Sequence, residues 1–471
     1  MSANSNRRWE RLLVWLRDEH GMKTGEEDLR VACRYRPGAG NGLYALDRCT
    51  PSTTLFTVPA SALLNIRTLE RRYPPRRPPL SATQLVSLHL FLHRPEGESE
   101  CKDPAFGPYI SVLPRQFDAH PLTWRIRRTE GELLSRLPPS VSRVVDVVTQ
   151  RFQIDWDTVF DYMQDNPHIL STSSRSDLDA AVHTTKDQAL TEDFLWAWLN
   201  VNTRCVYQRL KPKGSDADNL TMCPVFDFAN HSPNPPHLLP LPSNAEIWGT
   251  GSKRGEPYGL RTPDGTGFPK DQELFIQYGV HANKTLFAEY GFVNAMAEGD
   301  VRAGRIDGEV DVQDVVERML QDRGVAGQWI KSALEQEGYW GYWTLHSAPK
   351  PGHPSFRLIS ALRLYHSIPR TNTAIPRNPD EILASWRDTL MGKKDSISPE
   401  NEAAWRATLA DMCREVAARA SRNLENLKAV KSNNTEGWRG FTYDCLRTLW
   451  REELEVAEAV LESIRDGEEF W

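Results

Sequence analysis

The chain has 471 residues, 39% of them hydrophobic and 25% charged, with a formal net charge of −6. Such a length exceeds one ordinary domain, and the composition is that of a folded chain rather than a disordered one. The acidic balance argues against a general nucleic-acid binder, and no uninterrupted apolar run approaches a membrane span.

The opening "MSANSNRRWERLLVWL" lacks a signal-peptide layout, and Glu10, Asp18 and Glu19 argue against a transit peptide. The expectation is a monomer in the cytosol, the nucleus or both, with no membrane and no nucleic acid as direct substrate. Seven scattered cysteines without a Cys-x-x-Cys pair offer neither a disulfide framework nor zinc spacing.

In chain order, residues from about Leu29 to Asn65 give short apolar runs separated by turn residues, which predicts strands. "LSATQLVSLHLFLHRP" (80–95) then places Leu85, Leu88, Phe91 and Leu92 at helical spacing. Helical patches continue to about Leu199, broken by loops such as "STSSRSDLD". The strongest is "TEDFLWAWLNVNTRCVYQRL", with Phe194, Trp198 and Val201 on one face. A second strand-rich zone spans Met222 to Val293 and includes "NAEIWGTG" and "PYGLRTPDGTGFPKDQELFIQYG", with Asp-Gly and Gly-rich turns.

Beyond Val293 amphipathic helices dominate. Trp405, Leu409, Met412, Val416, Ala420, Leu424 and Leu427 form one stripe, behind Ser398 as N-cap and Pro399 at the first helical position. Asn401 leaves the capping box incomplete, while Glu400 and Glu402 suit the positive end of the helix dipole. The fold class expected is α+β: small sheets split by a helical insert, then an all-α domain. The expected boundaries are 1–80, 81–190, 191–300 and 301–471.

Two stretches carry chemistry. "VFDFANHSPNP" (225–235) sets Asn230, His231 and Ser232 after an apolar, strand-like run, and these residue types alone fit a turn. "ELFIQYGVHANKTLFAEYGFV" (273–293) holds two Tyr-Gly pairs, Tyr278-Gly279 and Tyr290-Gly291, whose glycines let the backbone turn and a ligand approach. Taken singly, each pair reads better as a packed tyrosine with a turn glycine.

Together these pieces resemble, co-linearly and over most of the chain, the SET-domain protein methyltransferases of the Rubisco large-subunit methyltransferase-like branch. "GAGNGLYALDRCTPSTTLFTVPASALLN" is similar to the family's opening glycine segment and first strands. "LHLFLHRP" with "FGPYISVLP" is similar to its helical insert, and "FLWAWLNVNTRCVY" to the helix that supplies an arginine. "VFDFANHS" matches the Asn-His motif, "LFIQYG" and "YGFV" the two-tyrosine segment, and "PSFRLISALRLYHSI" the start of the helical substrate-binding domain.

The resemblance implies S-adenosylmethionine as cofactor and a lysine-presenting, non-histone protein as substrate, a ribosomal or translation protein being plausible. It implies Tyr278 as the catalytic tyrosine. It implies Ala39, Gly40, Asn41, Arg204, Asn230, His231, Tyr290, Gly291 and Phe292 against the cofactor. Asp227, Phe228, Ala229 and Tyr290 would line the substrate side, with no metal. Asp271 stands where the family usually has glycine, and Ala282 replaces a common serine. Tyr290 favours the lysine-directed pattern over the histidine-directed, actin-type one. That activity and an inactive SET-fold binding module stand as alternatives. Tyr339, Trp340, Tyr342 and Trp343 suit either a docking surface or a core.

Overall fold

The computed structural model describes residues 3–36, 40–175, 178, 186–213, 215–242, 256–369, 373–429 and 437–470. Ala39 and the stretch "NAEIWGTG" lie outside the described residues. The chain divides into two compact units, one built from 1–131, 145–281 and 288–291, the other from 132–144, 282–287 and 292–471.

The first unit holds β1 (Val31–Arg36), β2 (Gly40–Ala45), β3 (Thr54–Val58), β4 (Leu64–Asn65), β5 (Cys205–Tyr207), β6 (Leu220–Met222), β7 (Asn230–His231), β8 (Leu239–Pro240), β9 (Tyr258–Arg261) and β10 (Glu273–Ile276). They form sheets in the orders β1-β2-β10-β7, β3-β9-β8 and β4-β6-β5. Each sheet combines strands from before and after the helical insert, so the insert is an excursion from one sheet system. β1 and β2 pair antiparallel, with Val31, Cys33, Leu43 and Ala45 turned inward, the period-two burial of a half-covered hairpin.

Helices fill the space between. In α1 (Ala3–Asp18) Leu12, Trp15 and Leu16 are buried at i, i+3 and i+4. α2 (Ala82–Leu92) starts at a complete capping box between Ser81 and Gln84. α3 spans Pro139–Asp165, and α4 (Gln188–Arg204) is capped by Asp187. Phe194 of α4 stacks on Trp156 with centroids 4.6 Å apart, and Trp198 sends its indole N–H to Asp155 at 2.8 Å.

His89, His93 and Asp103 are the group among the described residues with metal-ligating atoms brought together. Hydrogen bonds already engage them: His89 contacts the Tyr73 hydroxyl (2.7 Å) and Asp103 (3.2 Å), and Asp103 accepts from the Phe106 N–H at 2.7 Å. His93 contacts the Ser174 hydroxyl at 3.3 Å, so each member of this buried polar trio has a hydrogen-bond partner.

α5 (Asn283–Tyr290) closes the two-tyrosine segment. The second unit contains α6 (Gln313–Gln321), α7 (Gly324–Gln336), α8 (Phe356–His366), α9 (Pro379–Leu390), α10 (Pro399–Ala429) and α11 (Trp438–Arg465). A small antiparallel sheet of β11 (Glu309–Asp311), β12 (Thr344–His346) and β13 (His353–Pro354) accompanies helices that the sequence pattern leads one to expect alone. Two- and three-residue strands flanked by strong helical patterns leave little periodicity to read.

Trp405, Leu409, Met412, Val416, Ala420 and Leu427 of the stripe are buried, and Leu424 is half-buried. Ser398 accepts from the Asn401 N–H at 3.1 Å, while the Asn401 amide turns to the Arg363 carbonyl at 2.9 Å instead of closing the box. Trp343 is fully buried, with Trp340 edge-on at 4.9 Å, whereas Tyr342 is 79% exposed, so that aromatic cluster is mainly core. No described helix is long and apolar enough to cross a membrane.

Candidate active site

The site is built where β7 lies parallel to β10, with Asn230 opposite Phe275 and His231 opposite Ile276. The strand expected before the Asn-His pair instead ends at Met222. Pro224 cannot extend a ladder, and Val225 takes φ +70°, a left-handed conformation rare for a β-branched residue. A single 3-10 turn, Phe226–Phe228, follows, and the Asn-His pair is itself the next strand.

Pairing two remote segments in parallel fixes Tyr278. Its N–H donates to His231 Nδ1 at 3.2 Å, and its hydroxyl donates to the Ala229 carbonyl at 3.1 Å. Its ring lies 5.3 Å from that of His231 and 5.2 Å from that of Tyr290. Burial, with lesser repulsion from Tyr290 and Asp227 and against the pull of Arg204, pushes Tyr278 up to about 12. The ring is a neutral phenol at physiological pH.

Asn230 acts as a tie between strands. Its Nδ2 donates to the Asn41 carbonyl at 3.2 Å and to Glu273 Oε1 at 2.8 Å, and Arg36 pairs with the other Glu273 oxygen at 2.7 Å. Arg204, the last residue of α4, donates to the Asp227 carbonyl at 2.7 Å, with the Asp227 carboxylate 3.6 Å away. Tyr109 from the insert donates to that carboxylate at 3.2 Å. Burial raises Asp227 to about 6, with Arg204 and Tyr109 opposing.

Two cavities meet at this wall. One, of about 360 Å³, is lined by Gly40, Asn41, Phe228 and Asn230, and also by Arg8, Trp9 and Arg115. The other, of about 380 Å³, is lined by Cys205, Tyr207, Ala229, Leu239 and Tyr290 among others. Arg204, Asp227 and Tyr278 border both. Asn41 Oδ1, Arg204 Nε and Asp227 Oδ1 are buried there without a hydrogen-bond partner, a set of unspent donors and acceptors that suits a polar ligand.

Both Tyr-Gly glycines are required by their backbone. Gly279 has φ +146° and a side chain there would strike His281; Gly291 has φ +81°, and a Cβ would lie 3.3 Å from His120. Phe292 belongs to the second unit, and Ala39 is outside the described residues. Asp271 takes φ +63° at the turn where glycine was expected and pairs with Arg34.

Sequence reading missed several groups. Arg8 and Trp9 come from α1, where Trp9 sits edge-on to Phe228 at 5.3 Å. Glu289, beside Tyr290, is clamped by Arg151 (2.8 Å), by Asn202 (3.1 Å) and, through its carbonyl, by His120 Nε2 (3.1 Å). Burial drives His120 down to about 4, which keeps it neutral. The helical spacing of α1 was a usable signal for Trp9; nothing local marks His120.

No protein-family model matches the sequence. The chain is 24% identical over 431 residues to the ribosomal lysine N-methyltransferase set11 of Schizosaccharomyces pombe, covering 90% of this chain and 91% of that protein. It is 25% identical over 467 residues to SET domain-containing protein 4 of Homo sapiens, covering 96% and 90%. Among solved structures, the SET domain of LSMT bound to lysine and AdoHcy aligns with a TM-score of 0.60 at 16% identity, over 99% of this chain and 92% of that one. Rubisco LSMT bound to AdoMet aligns with a TM-score of 0.59, also at 16% identity, over 98% and 92%. At that identity the structural likeness speaks for the fold.

Proposed function

We propose that this chain, a SET-domain protein homologous along nearly its whole length to lysine methyltransferases, transfers a methyl group from S-adenosylmethionine to a lysine of a non-histone protein. The observation that carries the reading is the pair of cavities sharing the wall of Arg204, Asp227 and Tyr278, a geometry suited to donor on one side and acceptor on the other.

S-adenosylmethionine, when bound, supplies an electrophilic methyl on a sulfonium. The cavity bordered by Gly40, Asn41 and Asn230 fits its polar ends: Asn41 Oδ1 and Asp227 Oδ1 are acceptors for ammonium or hydroxyl, and Arg204 Nε is a donor for carboxylate. His231, Gly291 and Phe292 complete the set assigned to the cofactor by resemblance. Tyr278 and Tyr290 border the second cavity, where their rings flank the approach of an alkyl amine.

A lysine of ordinary pKa about 10.4 must shed a proton, and desolvation beside a positive charge lowers that value. Tyr278, held as a phenol, orients the amine rather than taking its proton. Alignment of amine and methyl is then the main contribution of the protein.

The acidic surface suits a basic partner. The proposed substrate is a ribosomal or translation protein, in keeping with the name of the ribosomal lysine N-methyltransferase relative, met in the cytosol or nucleus by a monomeric enzyme. The test is incubation of a cell extract with labelled cofactor, followed by mass spectrometry of the modified residue. Methyl-lysine is expected; methyl-histidine would replace the reading with the histidine-directed one. Failure of saturating cofactor to raise the melting temperature would point to a binding module.

A further inference from the structure

Arg115 follows the short helix Gly107–Val112 of the insert and lines the cavity that contains Gly40, Asn41 and Asn230. Its Nη2 donates to the carbonyls of Ser99 (3.1 Å) and Ser111 (3.2 Å), so the guanidinium is held by neutral acceptors. Nε and Nη1 are buried and have no hydrogen-bond partner.

The other two arginines of this cavity each engage an acidic residue, with Arg204 Nε left over. Arg8 pairs with the Glu98 carboxylate at 2.9 Å, and Arg204 is engaged by Asp227 through the carbonyl at 2.7 Å. Burial, with repulsion from Arg8 and against the pull of Glu98, lowers Arg115 to about 10, which leaves it charged at neutral pH. A buried guanidinium with unspent donors is costly, and an anion entering the cavity offsets that cost.

We propose that Arg115 is a specificity-determining residue for the methyl donor, its unmatched N–H groups receiving the carboxylate at the amino-acid end of S-adenosylmethionine. The assignment rests on the methyltransferase reading above. Arg115 shares that task with Arg204, whose Nη1 is committed to the Asp227 carbonyl and whose Nε remains available. Arg115 also gives the insert a direct part in choosing the cofactor.

The test compares S-adenosylmethionine with its decarboxylated analogue, which keeps the sulfonium, adenosine and amine but lacks the carboxylate. Affinities are measured by calorimetry on the full chain as wild type, Arg115→Met and Arg115→Lys. Wild type should prefer the carboxylate-bearing donor, and Arg115→Met should weaken it by about tenfold or more while changing the analogue by less than about threefold. Arg115→Lys should recover part of the preference, since charge returns without the planar fork. Because both ligands are compared on the same folded variant, a loss of fold affects both equally. A variant that keeps the wild-type preference, or weakens both compounds alike, overturns the assignment alone. Wild type binding neither compound overturns the methyl-donor reading and this one with it.

Discussion

Tyr278 hangs from His231: the tyrosine N–H donates to the imidazole Nδ1 at 3.2 Å, across the parallel pairing of two strands remote in sequence. Accepting at Nδ1 requires that nitrogen to be unprotonated, so in this contact His231 positions the backbone of Tyr278. His231→Ala should cost about 1 kcal/mol of stability and lower kcat more than it changes the KM for protein substrate. Denaturant unfolding with steady-state kinetics checks both; an unchanged kcat would remove His231 from the positioning of Tyr278.

Tyr278 borders both cavities, and its hydroxyl donates to the Ala229 carbonyl. Tyr278→Phe removes the hydroxyl while keeping the ring against Tyr290, so the fold and donor affinity should persist. The transfer step should slow by about 10²-fold, the scale for losing one preorganised polar group. Single-turnover rapid quench reads the step directly. Equal rates for Phe and Tyr would shift the chemistry to other residues.

Acid–base behaviour of the second unit should be set by α11. Burial raises Glu452 to about 7, with Asn283 and the Glu309 N–H opposing and Glu453 adding to the rise; burial likewise raises Glu453 to about 7. A carboxyl whose folded value lies above its ordinary 4.5 stabilises the folded state below that pH and loses the contribution as pH rises toward 7. Glu452→Gln has no such proton to lose. Its stability relative to wild type should therefore improve steadily between those pH values, as followed by chemical denaturation. A difference that stays constant across that window would contradict the assignment.

Trp405 is fully buried and its indole N–H reaches Glu402 at 2.7 Å. Trp405→Ala should destabilise the chain by roughly 3–5 kcal/mol, the range for emptying an aromatic site in a core. The midpoint of urea unfolding should drop accordingly, with the slope unchanged.

Much of this was legible in the residues. The stripe on α10 and the apolar face of α4 were readable because helical periodicity survives over several turns. The Asn-His pair and both tyrosines were legible as motifs, since glycine and short polar residues mark where backbone leaves a sheet. The route of the backbone there was not: Val225 at φ +70° breaks the expected strand, and no β-branched residue advertises a left-handed turn. β11 to β13 escaped because two- and three-residue strands have no period. Arg8, Arg115 and His120 were hidden for another reason: their importance comes from segments brought together only by tertiary folding.

The parallel union of β7 with β10 also sets an order of events. It joins residues 230–231 to 275–276, on a sheet whose other half is written before residue 46. Such distant pairings carry a loop-closure cost before they return any stability, and they form late. A nascent chain emerging only as far as α4 possesses Arg204 but no wall for it to border. Donor binding competence should thus arrive abruptly during synthesis, once Tyr278 and the clamp on Glu289 have left the ribosome, and not by gradual improvement of a partial pocket.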